Sequence, residues 1–392
     1  MKNYIKAYLR NFDYPLFITY AILVIFGLIM VYSASMVVAV QKEGMSADHY
    51  FNNQIINIVV SLCMFFAASF FPYKNYKKPG LMKMLFWVMV ILIGWLWLFG
   101  FGKDTTGSQS WISIFGLTTF QPSEYAKLFL ILYMSGTIYN KSLNKNSIRD
   151  VSPIDITFPI IIWIGITFSI AMETDLGAVI IVGFIAASIF VLSGVSWKLL
   201  LKYGAIIGGF GALVLGFVAL IKDDNLLNIS RMGRIKVLGN PFEYASDLGY
   251  QLVNGYLAIG AGGLKGVGLG QSIQKLGYLP EPQTDFIMAI IAEELGIKGV
   301  AIVIIGLGFI VCRALIIAMK TKDPLARMIA GAIGSWIGFQ AFVNLGGISG
   351  VIPLTGVTLP FISYGGSSIM LLSFALGILM NISMFYKRET RK

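Results

Sequence analysis

Histidine occurs once in the 392 residues, at His49, and cysteine twice, at Cys63 and Cys312. Both cysteines lie inside apolar runs, so no disulfide framework holds this chain together. No cluster of ligand residues surrounds the single histidine, so a zinc or haem site is not expected. Charge is also scarce: Asp, Glu, Lys and Arg make up 12% of the residues, against about 25% in a soluble domain. Hydrophobic residues reach 57% and the mean hydropathy is +0.78, a surplus too large for one water-soluble core. There is no low-complexity tail and no stretch that reads as an appended soluble domain.

What the chain has is a succession of apolar runs of roughly 20 residues, the length that crosses about 30 Å of hydrocarbon. Breaks at charged or turn-rich residues predict spans near 14–38, 54–72, 82–101, 123–140, 154–172, 176–195, 199–221, 286–312, 324–345 and 365–386. The expected fold is an all-α polytopic membrane protein of about ten transmembrane helices, a single domain over 1–392. The first run is long and has no small-residue cleavage site, so it reads as a retained signal anchor.

The formal charge of +11 does not point to nucleic acid, because most of the basic residues sit in short loops between spans. Lys2, Lys6 and Arg10 come first, then Lys74, Lys77 and Lys78, then Lys141, Lys145 and Arg149. Lys198 and Lys202, Lys320, Lys322 and Arg327, and finally Lys387, Arg388, Arg391 and Lys392 complete the set. All fall on one side of the membrane if both termini are cytoplasmic. The opposite side holds the unusual segments: 102–121, 173–175, a large extracellular loop over 222–284 between helices 7 and 8, and 346–364. Apolar residues of that loop, Leu248, Tyr250, Leu252, Val253, Tyr256 and Leu257, suggest short amphipathic helices on the membrane surface.

The polar motifs lie toward that outer side. Pro280-Glu281-Pro282-Gln283-Thr284-Asp285 leads into an apolar run carrying Glu293 and Glu294, and carboxylates inside a span need a partner or a watery cavity. One reading is structural: Thr284 or Asp285 caps the helix and Glu294 pairs with Lys298. The other makes Asp285 a general base at the water–lipid boundary. A helix N-terminus lowers a carboxylate pKa, so a base there needs desolvation or a neighbour such as Glu281 to offset it. Gln121-Pro122-Ser123 starts another helix, and Glu124 and Lys127 follow one turn apart on one face. They are an ion pair that fixes packing or part of a site.

Trp111 is either an interfacial anchor or a platform for a sugar ring. Arg231 and Arg234 sit outside against the charge bias, as phosphate-binding forks or as solvated residues. Between the last two spans, Pro353 to Ser368 packs proline, glycine and hydroxyls too densely for a regular helix. At membrane depth such backbone must be buried in protein or line a wet cavity, so it reads as a re-entrant loop rather than a plain turn.

Together these residues resemble the SEDS family of bacterial cell-wall proteins, represented by FtsW, RodA and SpoVE. The likeness spans essentially the whole chain. It rests on Gln121 to Lys127, Gly262-Gly263-Leu264 through Gly270, Pro280 to Gly296 with Thr284-Asp285-Phe286, Asn344, and Pro360 to Ser368. Asp13-Tyr14 and Met30-Val31-Tyr32-Ser33-Ala34-Ser35 look more like the FtsW and SpoVE branches than RodA. The chain departs from the family at Ser110, where many members have a basic residue, at Glu173-Thr174 in place of glutamine-proline, and at Gln283 in place of histidine.

The resemblance implies an inverting peptidoglycan glycosyltransferase that polymerises lipid II at the outer face of the bacterial cytoplasmic membrane, with the division septum as the expected place. Lipid II, the undecaprenyl-pyrophosphate-linked disaccharide pentapeptide, is the implied substrate. A class B penicillin-binding protein and other divisome membrane proteins are the implied partners. Asp285 matches the family's essential aspartate, and Trp111, Glu124 and Lys127 match other functional positions. Gln251, Lys265, Glu281 and Thr284 are further substrate-binding or supporting candidates, as are Glu293, Glu294, Asn344, Ser363 and Ser367. Asp285 would take the proton of the acceptor's 4-hydroxyl. Arg231, Arg234, Lys127 or a divalent cation (Mg or Mn) could stabilise the departing pyrophosphate. An elongation or sporulation polymerase is the alternative within the family; a lipid II flippase or a non-catalytic scaffold is the alternative outside it. The concentration of motifs on one face favours the enzyme over a transporter.

Overall fold

A computed structural model describes residues 8, 10–41, 44–101, 110–114, 118–143, 153–173, 175–195, 237–246 and 249–391. The apolar runs become helices because a backbone in hydrocarbon must satisfy its hydrogen bonds within its own segment. In chain order these are α1 (Tyr14–Gln41), α2 (His49–Phe70), α3 (Pro79–Phe99), α4 (Pro122–Ser142), α5 (Pro153–Met172) and α6 (Leu176–Ser193). Then come α7 (Tyr250–Gly262), α8 (Ile287–Lys320), α9 (Pro324–Ile348) and α10 (Gly366–Thr390). Among the described residues, seven helices are long and apolar enough to cross a membrane, and α5 adds a shorter apolar stretch, Thr157–Met172. The span expected at 199–221 lies outside the described residues.

The helix α4 occupies the fourth expected span but is not among those seven, since Glu124, Lys127 and Lys141 dilute its apolar character. Among the described residues the helical pattern is interrupted by a short antiparallel hairpin of Ile112–Ile114 and Thr118–Phe120 with Ser113 opposite Thr119. The helix α1 shows how lipid replaces water as solvent. Ile18, Ile22, Ile25 and Ile29 form an exposed apolar stripe at helical spacing, while Leu16, Tyr20, Leu23 and Met30 are buried. A helix apolar on both faces is stable only where the outer face meets lipid.

The basic loops gather at one end of the bundle. Asn140 donates to the Lys77 carbonyl at 2.7 Å, the Tyr73 hydroxyl to Asp323 at 2.7 Å, and Arg327 to the Ser193 carbonyl at 3.3 Å. Asp13, fully buried just before α1, is held by Arg313 through two bonds of 3.0 and 3.1 Å, by Lys387 at 3.3 Å and by the Ser383 hydroxyl. First and last helices are therefore neighbours, and Tyr20 meets Ser373 at 2.8 Å while Asn381 donates to the Ser69 carbonyl at 2.7 Å.

The helix α7 and the chain after it pack against α8. Leu252, Asn254, Ala258 and Gly262 of α7 are buried, and a Cβ on Gly262 would fall 1.9 Å from the Ala292 carbonyl oxygen. The helix α8 is broken at Gly296 (φ 62, ψ −151). There the loop backbone comes so close that a Cβ would lie 2.5 Å from the Gly266 nitrogen. Below the break 24 residues remain to Lys320, roughly 36 Å of helix, enough to cross the hydrocarbon.

Candidate active site

At the end opposite the basic loops, four segments converge on the N-terminus of α8. Asp285 is half-buried there, and its backbone carbonyl accepts a 2.8 Å bond from Asn344 Nδ2 near the end of α9. The same nitrogen donates to the Val357 carbonyl at 2.7 Å, which ties α9, Asp285 and the segment before α10 together. The Ser363 hydroxyl donates to the Thr284 carbonyl and accepts from the Leu359 N–H at 2.8 Å. The Tyr364 N–H bonds the Gln283 carbonyl at 2.9 Å.

The segment from Pro353 to Gly365 is irregular, and Leu359, Phe361, Ile362 and Ser363 within it are buried. It is non-helical chain whose second half is largely buried in protein. Its tightest point is Phe361, at φ 62 in the left-handed region. A Cβ on Gly27 of α1 would sit 2.8 Å from the Phe361 carbonyl oxygen, so α1 packs directly on this backbone. Gly356 lies beside the carboxylate: a Cβ there would stand 4.0 Å from Asp285 Oδ2.

Two expectations for this stretch are corrected. The first residue before α8 is Phe286, and no side chain caps it; Thr284 instead donates to the Glu281 carbonyl at 3.1 Å and to Asp285 Oδ1 at 3.2 Å. Asp285 is thus turned out of the capping position. Glu294 does not pair with Lys298, because the break at Gly296 separates them and Lys298 is exposed. Its partner is the buried Lys275, at 2.7 Å, with Ser33 of α1 bonding both groups. Glu293 holds the same loop by accepting from the Ser272 hydroxyl and from the Ile273 N–H at 2.9 Å. These two glutamates clamp the chain leading to Asp285.

A second buried pair supports the site from below. Lys127 Nζ lies 2.6 Å from Glu124 Oε1 and 3.3 Å from Gln340 Oε1, with the Trp336 ring 5.8 Å away. Gln340, fully buried, accepts from Trp336 Nε1 at 2.8 Å and donates to the Thr358 carbonyl at 3.0 Å. Thr358 in turn contacts the Ser368 hydroxyl at 3.1 Å. The ion pair therefore acts on the irregular segment before α10 through Gln340. Glu124 Oε2 and Asn344 Oδ1 are buried acceptors with no hydrogen-bond partner among the described residues.

The other sequence candidates are placed more loosely. Trp111 is half-exposed beside the hairpin and exchanges backbone bonds with Phe101. Ser367 accepts from the Gln121 N–H at 3.4 Å, and Gln251 donates to the Pro280 carbonyl at 3.4 Å. Lys265 is exposed on the turn after α7; Glu281 is also exposed and accepts from Gln283 Nε2 at 3.3 Å. Arg231 and Arg234 lie outside the described residues. Among the described residues no group of three or more His, Cys, Asp or Glu is assembled for a metal ion, so no side chains are assigned to a divalent cation. Gln340, Lys275 and Ser33 were not among the sequence candidates. For Gln340 the signal was a lone glutamine inside an apolar run, and Ser33 lay within the Met30 to Ser35 motif without a role assigned to it.

Glu173, just past α5, is buried, and its Oε2 has no hydrogen-bond partner among the described residues. Burial, and then the negative charge of Asp175, push its carboxyl up from 4.5 to about 8. Asp175 caps α6 through the Ala178 N–H at 2.9 Å and accepts from Gln121 Nε2 at 3.1 Å. A raised carboxyl binds its proton more tightly in the folded state than in the unfolded one. Stability is therefore intact below the unfolded pKa near 4.5 and erodes as pH climbs to about 8. In detergent, the wild-type melting temperature should fall between about pH 4.5 and about pH 8, and Glu173→Gln should flatten that slope. An identical slope in the variant would assign the effect to another group.

Comparison with known proteins fits this arrangement. The cell cycle protein family model for FtsW, RodA and SpoVE matches residues 14–388. The probable peptidoglycan glycosyltransferase FtsW of Bacillus subtilis (strain 168) is 43% identical over 388 residues, covering 99% of this chain and 94% of that protein. The FtsW of Pseudoalteromonas translucida (strain TAC 125), similarly described, is 36% identical over 392 residues, 99% of this chain and 93% of its own length. Among solved structures, a chain of a peptidoglycan synthase complex that coordinates polymerization and crosslinking superposes with a TM-score of 0.72 at 23% identity. The alignment covers 96% of this chain and 98% of that one. The rod shape determining protein RodA of Thermus thermophilus gives a TM-score of 0.65 at 22% identity, over 95% of this chain and 96% of its own. At these identities the two structures speak for the fold.

Proposed function

Since the chain belongs to the cell cycle protein family of FtsW, RodA and SpoVE, we propose that it is a peptidoglycan glycosyltransferase, polymerising lipid II at the outer face of the cytoplasmic membrane. The observation that carries the reading is Asp285: a half-buried carboxylate at the end of the bundle away from the basic loops, with its backbone fixed by Asn344. By the positive-inside rule the basic end, with both termini, faces the cytoplasm and Asp285 faces outward.

Both reactants are anchored in the membrane by prenyl chains. Confinement to one plane supplies part of the orientational advantage of an intramolecular reaction. Asp285 accepts the proton of the acceptor sugar's 4-hydroxyl as that oxygen attacks the donor's anomeric carbon, and the undecaprenyl pyrophosphate leaves from the opposite face with inversion. Asn344, Ser363 and Gln340 hold the backbone around Asp285 so that little reorganisation accompanies the transfer. Lys127 contributes by positioning, because its ammonium is committed to Glu124 and Gln340. Arg231 and Arg234 are the proposed contacts of the pyrophosphate, and Trp111 the proposed sugar platform.

The likeness to FtsW proteins supports a role in septal wall synthesis beside a class B penicillin-binding protein that crosslinks the strands. The purified protein, with its cognate penicillin-binding protein and fluorescent lipid II, should yield long glycan strands. Translocation of lipid II across vesicles without polymer would replace this reading by transport. A fluorescent fusion should gather at the septum; a purely lateral pattern would move the protein to elongation.

A further inference from the structure

A cavity lies at the basic end, on the far side of the bundle from Asp285. It has a volume of about 390 Å³ and opens between α3, α4 and α5. Its walls are apolar, built from Met82, Phe86, Tyr133 and Phe158, and Phe158 is 59% exposed at the bilayer-facing edge. Its rim is cationic: Lys83 from the first turns of α3 and Lys141 from the last turn of α4, with Asn140 between the helices.

The charges at this rim do not cancel. Among the described residues Lys141 pairs with Asp155 at 3.5 Å, and the Lys141 side chain stays 52% exposed. The buried pairs elsewhere close to 2.6 and 2.7 Å, so the Lys141 ammonium keeps donors for another acceptor. Among the described residues two ammoniums stand against one carboxylate, a single positive charge beside a greasy slot. A soluble anion satisfies the charge but not the slot, and a zwitterionic lipid fills the slot but brings no net charge.

We propose that this cavity binds one anionic phospholipid of the basic-side leaflet, its phosphodiester held by Lys83 and Lys141 and an acyl chain lying along Phe86, Tyr133 and Phe158. Basic pockets between spans at the cytoplasmic leaflet have this recognition chemistry. The site is separate from the glycosyltransferase reading and depends only on the slot and its charged rim.

The test is native mass spectrometry of the full chain, released from detergent with phosphatidylglycerol or phosphatidylcholine of matched acyl chains. The wild type should retain phosphatidylglycerol roughly tenfold better than phosphatidylcholine, and Lys83→Ala/Lys141→Ala should reduce that preference to near one. Lys320→Ala/Lys322→Ala, which removes two exposed charges elsewhere at the same end, should leave it intact. Equal retention of the two lipids by wild type would overturn the proposal. So would an equal loss in both double variants, which would mean general attraction to a basic surface. Phe158→Ala should weaken phosphatidylglycerol retention with the lysines in place; unchanged retention would remove the acyl chain from the slot.

Discussion

Asp285→Asn is expected to lower lipid II polymerisation by about 100- to 10,000-fold, the range that a positioned general base contributes. Asparagine keeps the size of the side chain and loses its ability to take a proton. The fold should tolerate the change because the interaction from Asn344 is made to the backbone carbonyl of residue 285, not to its carboxylate. The Thr284 hydroxyl can donate to an amide oxygen as it does to Oδ1. Strand synthesis from fluorescent lipid II, followed on gels beside the melting temperature, separates the two effects. Lost polymer with an unchanged melting temperature is the expected result. Undiminished polymer would remove Asp285 from the chemistry, and a collapsed melting temperature would make it a structural residue. Lipid II binding should persist, since a base acts in the transition state and not in holding the substrate.

The second large effect is expected at Lys275. Its ammonium is 1% exposed and sits 2.7 Å from the Glu294 carboxylate. Lys275→Met strands that carboxylate inside the protein, and breaking a buried pair from one side costs about 3–5 kcal/mol. Removing both charges with Lys275→Met/Glu294→Leu should recover most of this loss, since well-packed apolar replacements of buried pairs are often neutral or better. Reversible unfolding of the single and double variants gives the coupling energy directly. Equal losses in single and double variants would show that the loop is held without the pair. Ser33 remains as a control, because its hydroxyl bonds both partners.

Most of the architecture could be read from the chain because lipid imposes a simple rule: long apolar runs become helices. Nine of the ten expected spans are occupied by helices among the described residues, and the tenth falls outside them. The pair Glu124–Lys127 was legible for the same kind of reason, since three residues apart on a helix means neighbours. That local rule failed at Glu294, where Gly296 turns Lys298 away and a lysine 19 residues upstream takes its place. The helix start at Asp285 failed similarly. An acidic residue before an apolar run resembles a cap, but bonds from residues 59 and 79 positions away fix Thr284 and Asp285 by their carbonyls. Contacts of this kind leave no periodic trace. Gln340 shows the limit most clearly, for one amide in an apolar helix says nothing about which carbonyl it will meet.

The enclosure of Asp13 has a consequence for how the protein is made. Its carboxylate enters the bilayer boundary with the first helix, yet its partners are Arg313, Ser383 and Lys387. Throughout synthesis of some 300 intervening residues, up to Arg313, that charge has no permanent counter-ion, and its set of partners is complete only once Ser383 and Lys387 have been delivered. Assembly therefore ends with a ring closure between the two ends of the polypeptide, a step slow by nature because it joins the most distant parts of the chain. A nascent chain interrupted before α10 would be left with its earlier apolar segments inserted and its seam open.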